Sequence, residues 1–234
     1  MAHRIVRDFE RPDPALYEGL RGLPATFFTG PEGLGNDILF DPAIKPLRPN
    51  SLVIGPAFTV WLPVADLLIA NYAITLAAPG DVLVIACAQS DVGVWGGSMT
   101  ISARNRGLAG VVLDGAAIDS FAHLPDDLPV FARTRTAAKG GWSEPGSINV
   151  PVRVGGRDVH PGDLIVGDIN GVLAIARDDV ARAAEVVGAY RAKTKKIDWL
   201  ARLKHEPGAT WFDILEMRPS LDALGIPEVA RERS

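Results

Sequence analysis

The chain has 234 residues, 47% of them hydrophobic and 22% charged, which is enough to bury a substantial core in one elaborate domain. A net charge of −4 leaves no basic footprint for a nucleic-acid backbone, and Lys193, Lys195 and Lys196 read as a solvated helix face. The single Cys87 excludes an intramolecular disulfide and any cysteine cluster for zinc, and its apolar run, Val82 to Ala88, marks a core thiol.

Residues Met1 to Pro14 are charged and contain proline, unlike a secretory signal. Pro56, Pro63, Asp66 and Pro79 interrupt the apolar stretches before any reaches the roughly 20 residues of a membrane span. The expectation is a soluble, cytoplasmic protein with neither membrane nor nucleic acid as partner.

Along the chain an apolar strand recurs after a proline turn: Pro49 to Gly55, Pro79 to Ile85, and Pro161 to Gly167. Proline presets the turn and glycine supplies its left-handed position, so Pro-Gly-Asp marks a strand start. Between these units the pattern predicts a strand near 57–61, a helix over 66–77 and a helix over 98–106 that Gly107 ends. Further strands are expected at 109–113, 130–133, 150–154 and 172–175. Many short strands around few helices predict a layered sheet rather than a doubly wound fold. No Gly-x-Gly-x-x-Gly or Walker sequence follows any strand.

From Asp178 to Lys204 apolar residues recur at helical spacing, and a second helix is expected over 210–224. Trp211, Phe212, Ile214, Leu215 and Met217 on it suit either a subunit contact or packing on their own domain. The expected division is an N-terminal segment, 1–40, a core, 41–177, and C-terminal helices, 178–234.

The chemistry gathers at Gly96-Gly97-Ser98-Met99 and at Asp119. The glycine turn opens a helix whose unpaired N–H groups and dipole favour a carboxylate or phosphate. Asp119, just past the strand ending at Leu113, fits first an N-cap before Phe121 to Leu124, and second a magnesium-class ligand. Asp114 reads as a turn former, as do Asp66, Asp168 and Asn170 at turns or helix starts. His3, His123, His160 and His205 have no partner at metal-ligand spacing, and no serine or cysteine stands in a nucleophile elbow.

Pro79 to Val84, Trp95-Gly96-Gly97, Gly110 to Gly115, Gly146 to Val152, and Val159 to Asp163 leading to Asp168 to Gly171, together resemble the RraA-like family. That family includes the class II 4-hydroxy-4-methyl-2-oxoglutarate and 4-carboxy-4-hydroxy-2-oxoadipate aldolases and the regulator of ribonuclease E activity. The resemblance covers roughly Asp41 to Gly225. It implies an α/β fold, a layered β/β/α sandwich related to swivelling phosphohistidine domains, assembled as a homotrimer or a dimer of trimers with sites between subunits.

It also implies a site. In the aldolases an acidic residue, then twenty residues, then Arg-Asp hold Mg2+ or a related ion such as Mn2+, together with an oxo-acid whose carboxylate lies on the helix amides. Asp119 matches the metal ligand, and Gly96, Gly97, Ser98 and Met99 match the substrate-binding turn. Gly97 stands where the first acid is expected and Ile118 where the arginine is; Arg104, Arg133, Arg135 and Lys139 are the cations available to replace it. By a loose match Asp198 is the acid that a neighbouring subunit contributes. The resemblance thus implies a metal-dependent carbon–carbon lyase, aldolase or decarboxylase, acting on a small oxo-acid. The departures keep open a non-catalytic regulatory or binding protein, and a metal site repurposed for another small molecule.

Overall fold

The computed structural model describes residues 3–119, 128–197, 199–226 and 228, with backbone alone at 196, 197 and 199. Two compact units divide the chain, Met1–Gly188 and Ala189–Ser234. In the first unit the elements are, in chain order, α1 (Pro14–Tyr17), β1 (Lys45–Pro46), β2 (Val53–Leu62), α2 (Leu68–Leu76), β3 (Val82–Cys87), β4 (Gly93–Trp95), α3 (Gly97–Asn105), β5 (Gly110–Ala117) and β6 (Val130–Arg135). There follow β7 (Ser147–Ile148), β8 (Val152–Val154), β9 (Arg157–Val159), β10 (Leu164–Asp168), β11 (Gly171–Ile175) and the start of α4 (Val180–Ile197).

Nine strands form one mixed sheet in the order β1-β6-β5-β3-β2-β10-β11, with β4 on β5 and β7 on β2; β8 and β9 form a separate hairpin. The four central strands run parallel, whereas β10 and β11 are antiparallel. Alternation along the strands sorts their side chains into layers. Phe58, Val60, Leu83, Ile85, Val111 and Leu113 face α2 and α3. Ala57, Val82, Val84 and Val112 face the opposite way, onto Val152, Val154 and Val159 of the hairpin. Both faces being covered, β3 and β5 read as nearly continuous apolar runs. A third layer packs Leu164, Val166, Leu173 and Ile175 against Tyr17, Leu20, Phe28 and the first turns of α4.

The proline turns bear structural carboxylates. Gly80 and Gly162 take φ of +89° and +91°, and each following aspartate turns inward. Asp81 accepts from the Ala78 N–H at 2.8 Å, and Asp163 accepts from the His160 and Arg177 N–H groups at 2.8 and 3.1 Å. Asp81 also takes both Nε and Nη2 of Arg11, at 2.7 Å each. That ion pair ties down the N-terminal segment, where Val6 and Arg4 exchange backbone bonds with Ile148.

Several expected boundaries move. Two strands expected on either side of Pro56 are one, because Pro56 sits where β2 changes partner, from Leu164 of β10 to Val82 of β3 opposite Ala57; a missing N–H is tolerated at such a junction. β5 runs four residues past Leu113 through a bulge, so Asp114 lies within a strand and is no turn former. Its Oδ1 accepts from Arg133 Nε at 2.5 Å and its Oδ2 from the Gly155 N–H at 2.6 Å.

The helix expected from Asp66 begins at Leu68, whose N–H donates to Asp66 Oδ1 at 2.8 Å. In the second unit helical backbone runs to Ile197 and again over α5 (Trp199–His205), as expected as far as Lys204. The helix expected over 210–224 is two, α6 (Trp211–Ile214), opened by a Thr210–Asp213 capping box, and α7 (Arg218–Ala223). Glu216 at φ 51° breaks it, and Pro219 starts the next. The division between the two units falls within α4: Val180, Ala183 and Val187 are buried, while the described residues of the helix beyond Gly188 are largely exposed.

Candidate active site

β5 stops at Ala117, and the next two residues cross the start of α3. The Ile118 N–H donates to Trp95 O at 2.8 Å, which keeps the strand end beside β4. Asp119 then takes a left-handed backbone, φ 70°, a region that aspartate and asparagine enter more readily than bulky residues. This turn sets Asp119 Oδ2 2.9 Å from the Gly97 N–H. Gly96 is the N-cap of α3 and has no side chain to offer, so a carboxylate 22 residues away supplies the cap. Its negative charge lies at the positive end of the helix dipole.

Glycine is required by close approach here. A Cβ on Gly93 would overlap Ile118 Cγ2, and one on Gly96 would overlap Asp119 Oδ2. Gly96→Ala is therefore expected to push Asp119 off the helix and lower stability by about 1–3 kcal/mol, as overpacking does; urea unfolding measures the loss. An unchanged midpoint would mean that the two groups do not meet.

Among the described residues the Ser98 and Met99 N–H groups have no protein acceptor, whereas the Thr100 N–H donates to Gly96 O at 3.0 Å. Thr100 Oγ1 also bonds Gly96 O, and it accepts from the Trp95 indole N–H at 2.9 Å, which locks the helix entry onto a fully buried ring. Gly96, Gly97 and Met99 are buried, while Ser98 and Asp119 are exposed. Of the residues expected to bind substrate, Gly97 thus gives its N–H to Asp119, and Ser98 and Met99 keep theirs open. Ile118, 7% exposed, lies against Gly93 and Gly96 as a floor under the turn. Asp198, and the segment Phe121 to Leu124 that Asp119 was expected to cap, lie outside the described residues.

The four candidate cations separate clearly. Arg133 is held by Asp114 and by Asp41 Oδ2 at 2.9 Å, on the face away from α3, and these bonds push its pKa up. Arg135 donates to Leu47 O at 2.6 Å, and Arg104 sits in the last turn of α3, at the far end from Gly96. Lys139 is alongside: backbone bonds join Gly93 N–H to Ala138 O and Gly140 N–H to Gly93 O, while its Nζ lies 5.9 Å from the Trp142 ring centre. Cys87 is half-buried, and that burial raises its thiol pKa.

Among the described residues Asp119 Oδ1 has no hydrogen-bond partner, and no group of three or more His, Cys, Asp or Glu side chains gathers. A single hard oxygen donor, held still through its other oxygen, fits an ion such as magnesium that takes its remaining ligands from water and substrate. It does not fit a nitrogen- and sulfur-ligated zinc centre.

The sequence model of the RraA-like family, described as Aldolase/RraA, matches residues 32–174. A proposed 4-hydroxy-4-methyl-2-oxoglutarate aldolase of Halalkalibacterium halodurans is 36% identical over 184 residues, 78% of this chain and 84% of that protein. The crystal structure of Streptomyces coelicolor RraAS2, described as an unusual member of the RNase ES inhibitor RraA protein family, aligns with a TM-score of 0.69 at 27% identity. The match covers 83% of this chain and 100% of that one. A Pseudomonas syringae pv. tomato protein shares the fold, with a TM-score of 0.71 at 22% identity over 91% of this chain and 97% of its own.

Proposed function

This chain belongs to the RraA-like family, and from that premise we propose that it is a divalent-metal-dependent lyase acting on a small oxo-acid, by aldol cleavage or decarboxylation. The observation that carries the reading is the Asp119 carboxylate, fixed by the Gly97 N–H beside the two open amides of Ser98 and Met99. Mg2+ or Mn2+ held by Asp119 would supply Lewis-acid polarisation of a keto group and offset the charge of an enolate.

The chain's own residues do the rest. Ser98 and Met99 N–H groups hold the substrate carboxylate at the positive end of α3. The Gly97 N–H keeps Asp119 aimed, and Gly96 leaves room for it. Ile118 closes the floor with hydrocarbon, so water does not reach the amides from below. Lys139 supplies the positive charge that Ile118 removed. The proposed assembly is a homotrimer or dimer of trimers in the cytoplasm, with Asp198 of a neighbour as the further acid.

The test is pyruvate release from 4-hydroxy-4-methyl-2-oxoglutarate and from oxaloacetate, with Mg2+ and then with chelator. Turnover that chelator removes and Mg2+ restores is the expected result. A second reading, a regulatory or binding protein without chemistry, is favoured by one feature: a buried isoleucine and a glycine stand where the aldolase signature has a cation and an acid. Absence of turnover on both substrates with Mg2+ and with Mn2+ would select it.

A further inference from the structure

A cleft of about 560 Å³ opens on the hairpin side of the sheet, between the segment Asn36–Pro42, the Gly155–Arg157 turn and the Asn170–Gly171 turn. It is remote from α3 in the layering, since its floor residue Phe40 packs with Val152 and Val154 on the opposite face of β5 from Met99 and Ala103. Its volume lies in the range of small-molecule sites, about 300–1,000 Å³.

Hydrogen bonds fix all three walls. Phe40 N–H donates to Val172 O at 2.9 Å and Asp41 N–H to Gly155 O at 2.8 Å. Gly155 N–H is held by Asp114, and Lys45 Nζ donates to Asn170 O at 2.6 Å. The cleft is therefore preformed.

Its polar groups are donors left over. Arg157 is half-buried, and only its Nε is engaged, on Leu39 O at 3.0 Å; the four Nη hydrogens have no acceptor among the described residues. Asn36 accepts from the Gly30 N–H at 3.0 Å, which leaves its amide hydrogens unused, and the Gly156 N–H is open. Among the described residues lining the cleft the carboxylate is Asp41, which accepts from the Ala43 N–H and from Arg133, a cation it shares with Asp114; those two bonds lower its pKa. A half-buried guanidinium with both Nη groups free matches a planar or tetrahedral oxyanion bidentately, and Leu39 and Pro42 offer hydrocarbon for the body of a ligand.

We infer that this cleft binds a small organic anion, a carboxylate or phosphate ester, whose head group pairs with Arg157 and whose apolar body lies on Leu39 and Pro42. Calorimetric titration of the full chain with benzoate and with phenyl phosphate tests it and separates the two head groups. Saturable binding of either is expected, weakened at least about tenfold by Arg157→Ala and unchanged by Asp119→Ala. No saturable binding of either probe below about 10 mM, or binding that Asp119→Ala abolishes and Arg157→Ala leaves alone, would overturn it. Should Arg157→Ala fail to fold, crystals of the unaltered protein soaked with each probe decide: anion oxygens on the Arg157 Nη atoms support the site, and a cleft empty of both probes refutes it.

Discussion

Asp119→Ala is expected to lower Mg2+-dependent pyruvate release by roughly a thousandfold or more, about 4 kcal/mol of transition-state stabilisation. The same change removes the cap of α3, worth about 1 kcal/mol of stability, so on its own it mixes a chemical loss with a structural one. Asp119→Asn separates them. Asparagine keeps an oxygen for the Gly97 N–H and is well suited to φ 70°, but it removes the charge that would hold a divalent ion. A folded, thermally unaltered Asp119→Asn protein that has lost turnover would assign Asp119 to the chemistry. Full activity in that variant would remove Asp119 from the mechanism and take the proposed reaction with it.

The largest expected effect on stability is at Asp81. Its side chain is 1% exposed, receives two hydrogen bonds from Arg11 and caps the turn at Ala78. Asp81→Ala leaves a partly buried guanidinium and a backbone N–H unpaired, a loss of about 3–5 kcal/mol. Arg11 also stacks over the Phe9 ring, 4.0 Å from its centre, and Phe9 meets Phe58 of the core edge-on. The N-terminal segment is thus expected to loosen along with the ion pair. Urea unfolding with Arg11→Ala and the double variant measures the coupling; strictly additive losses would show that the pair acts as two independent contacts.

Much of the sheet was legible because its signals are local. Pro-Gly-Asp announces β3 and β10 through a left-handed glycine and an inward aspartate, and runs such as Val82 to Ile85 are what strands buried on both faces require. The family and its layered fold followed from those words and their order. What was hidden depends on contacts distant in sequence. That Asp119 caps α3 could not be read locally, because the pairing needs β4 and β5 side by side. Arg133 looked available to a substrate until Asp41 and Asp114 were seen on either side of it. Arg157 carried no signal at all, since an exposed hairpin arginine is ordinary until the segment at Leu39 folds over it. The division of α4 was equally invisible, because helical spacing persists past the point where burial ends.

The partner change at Pro56 also orders events during synthesis. The second half of β2 finds β3 about 25 residues downstream, whereas the first half must wait for β10, about 110 residues further along the chain. A nascent protein that has emerged only as far as β6 therefore has its parallel core paired while Val53 to Gly55 is still a bare strand edge. That edge is a template for pairing with other nascent chains, and it closes only when translation has carried Leu164 to Asp168 clear of the ribosome.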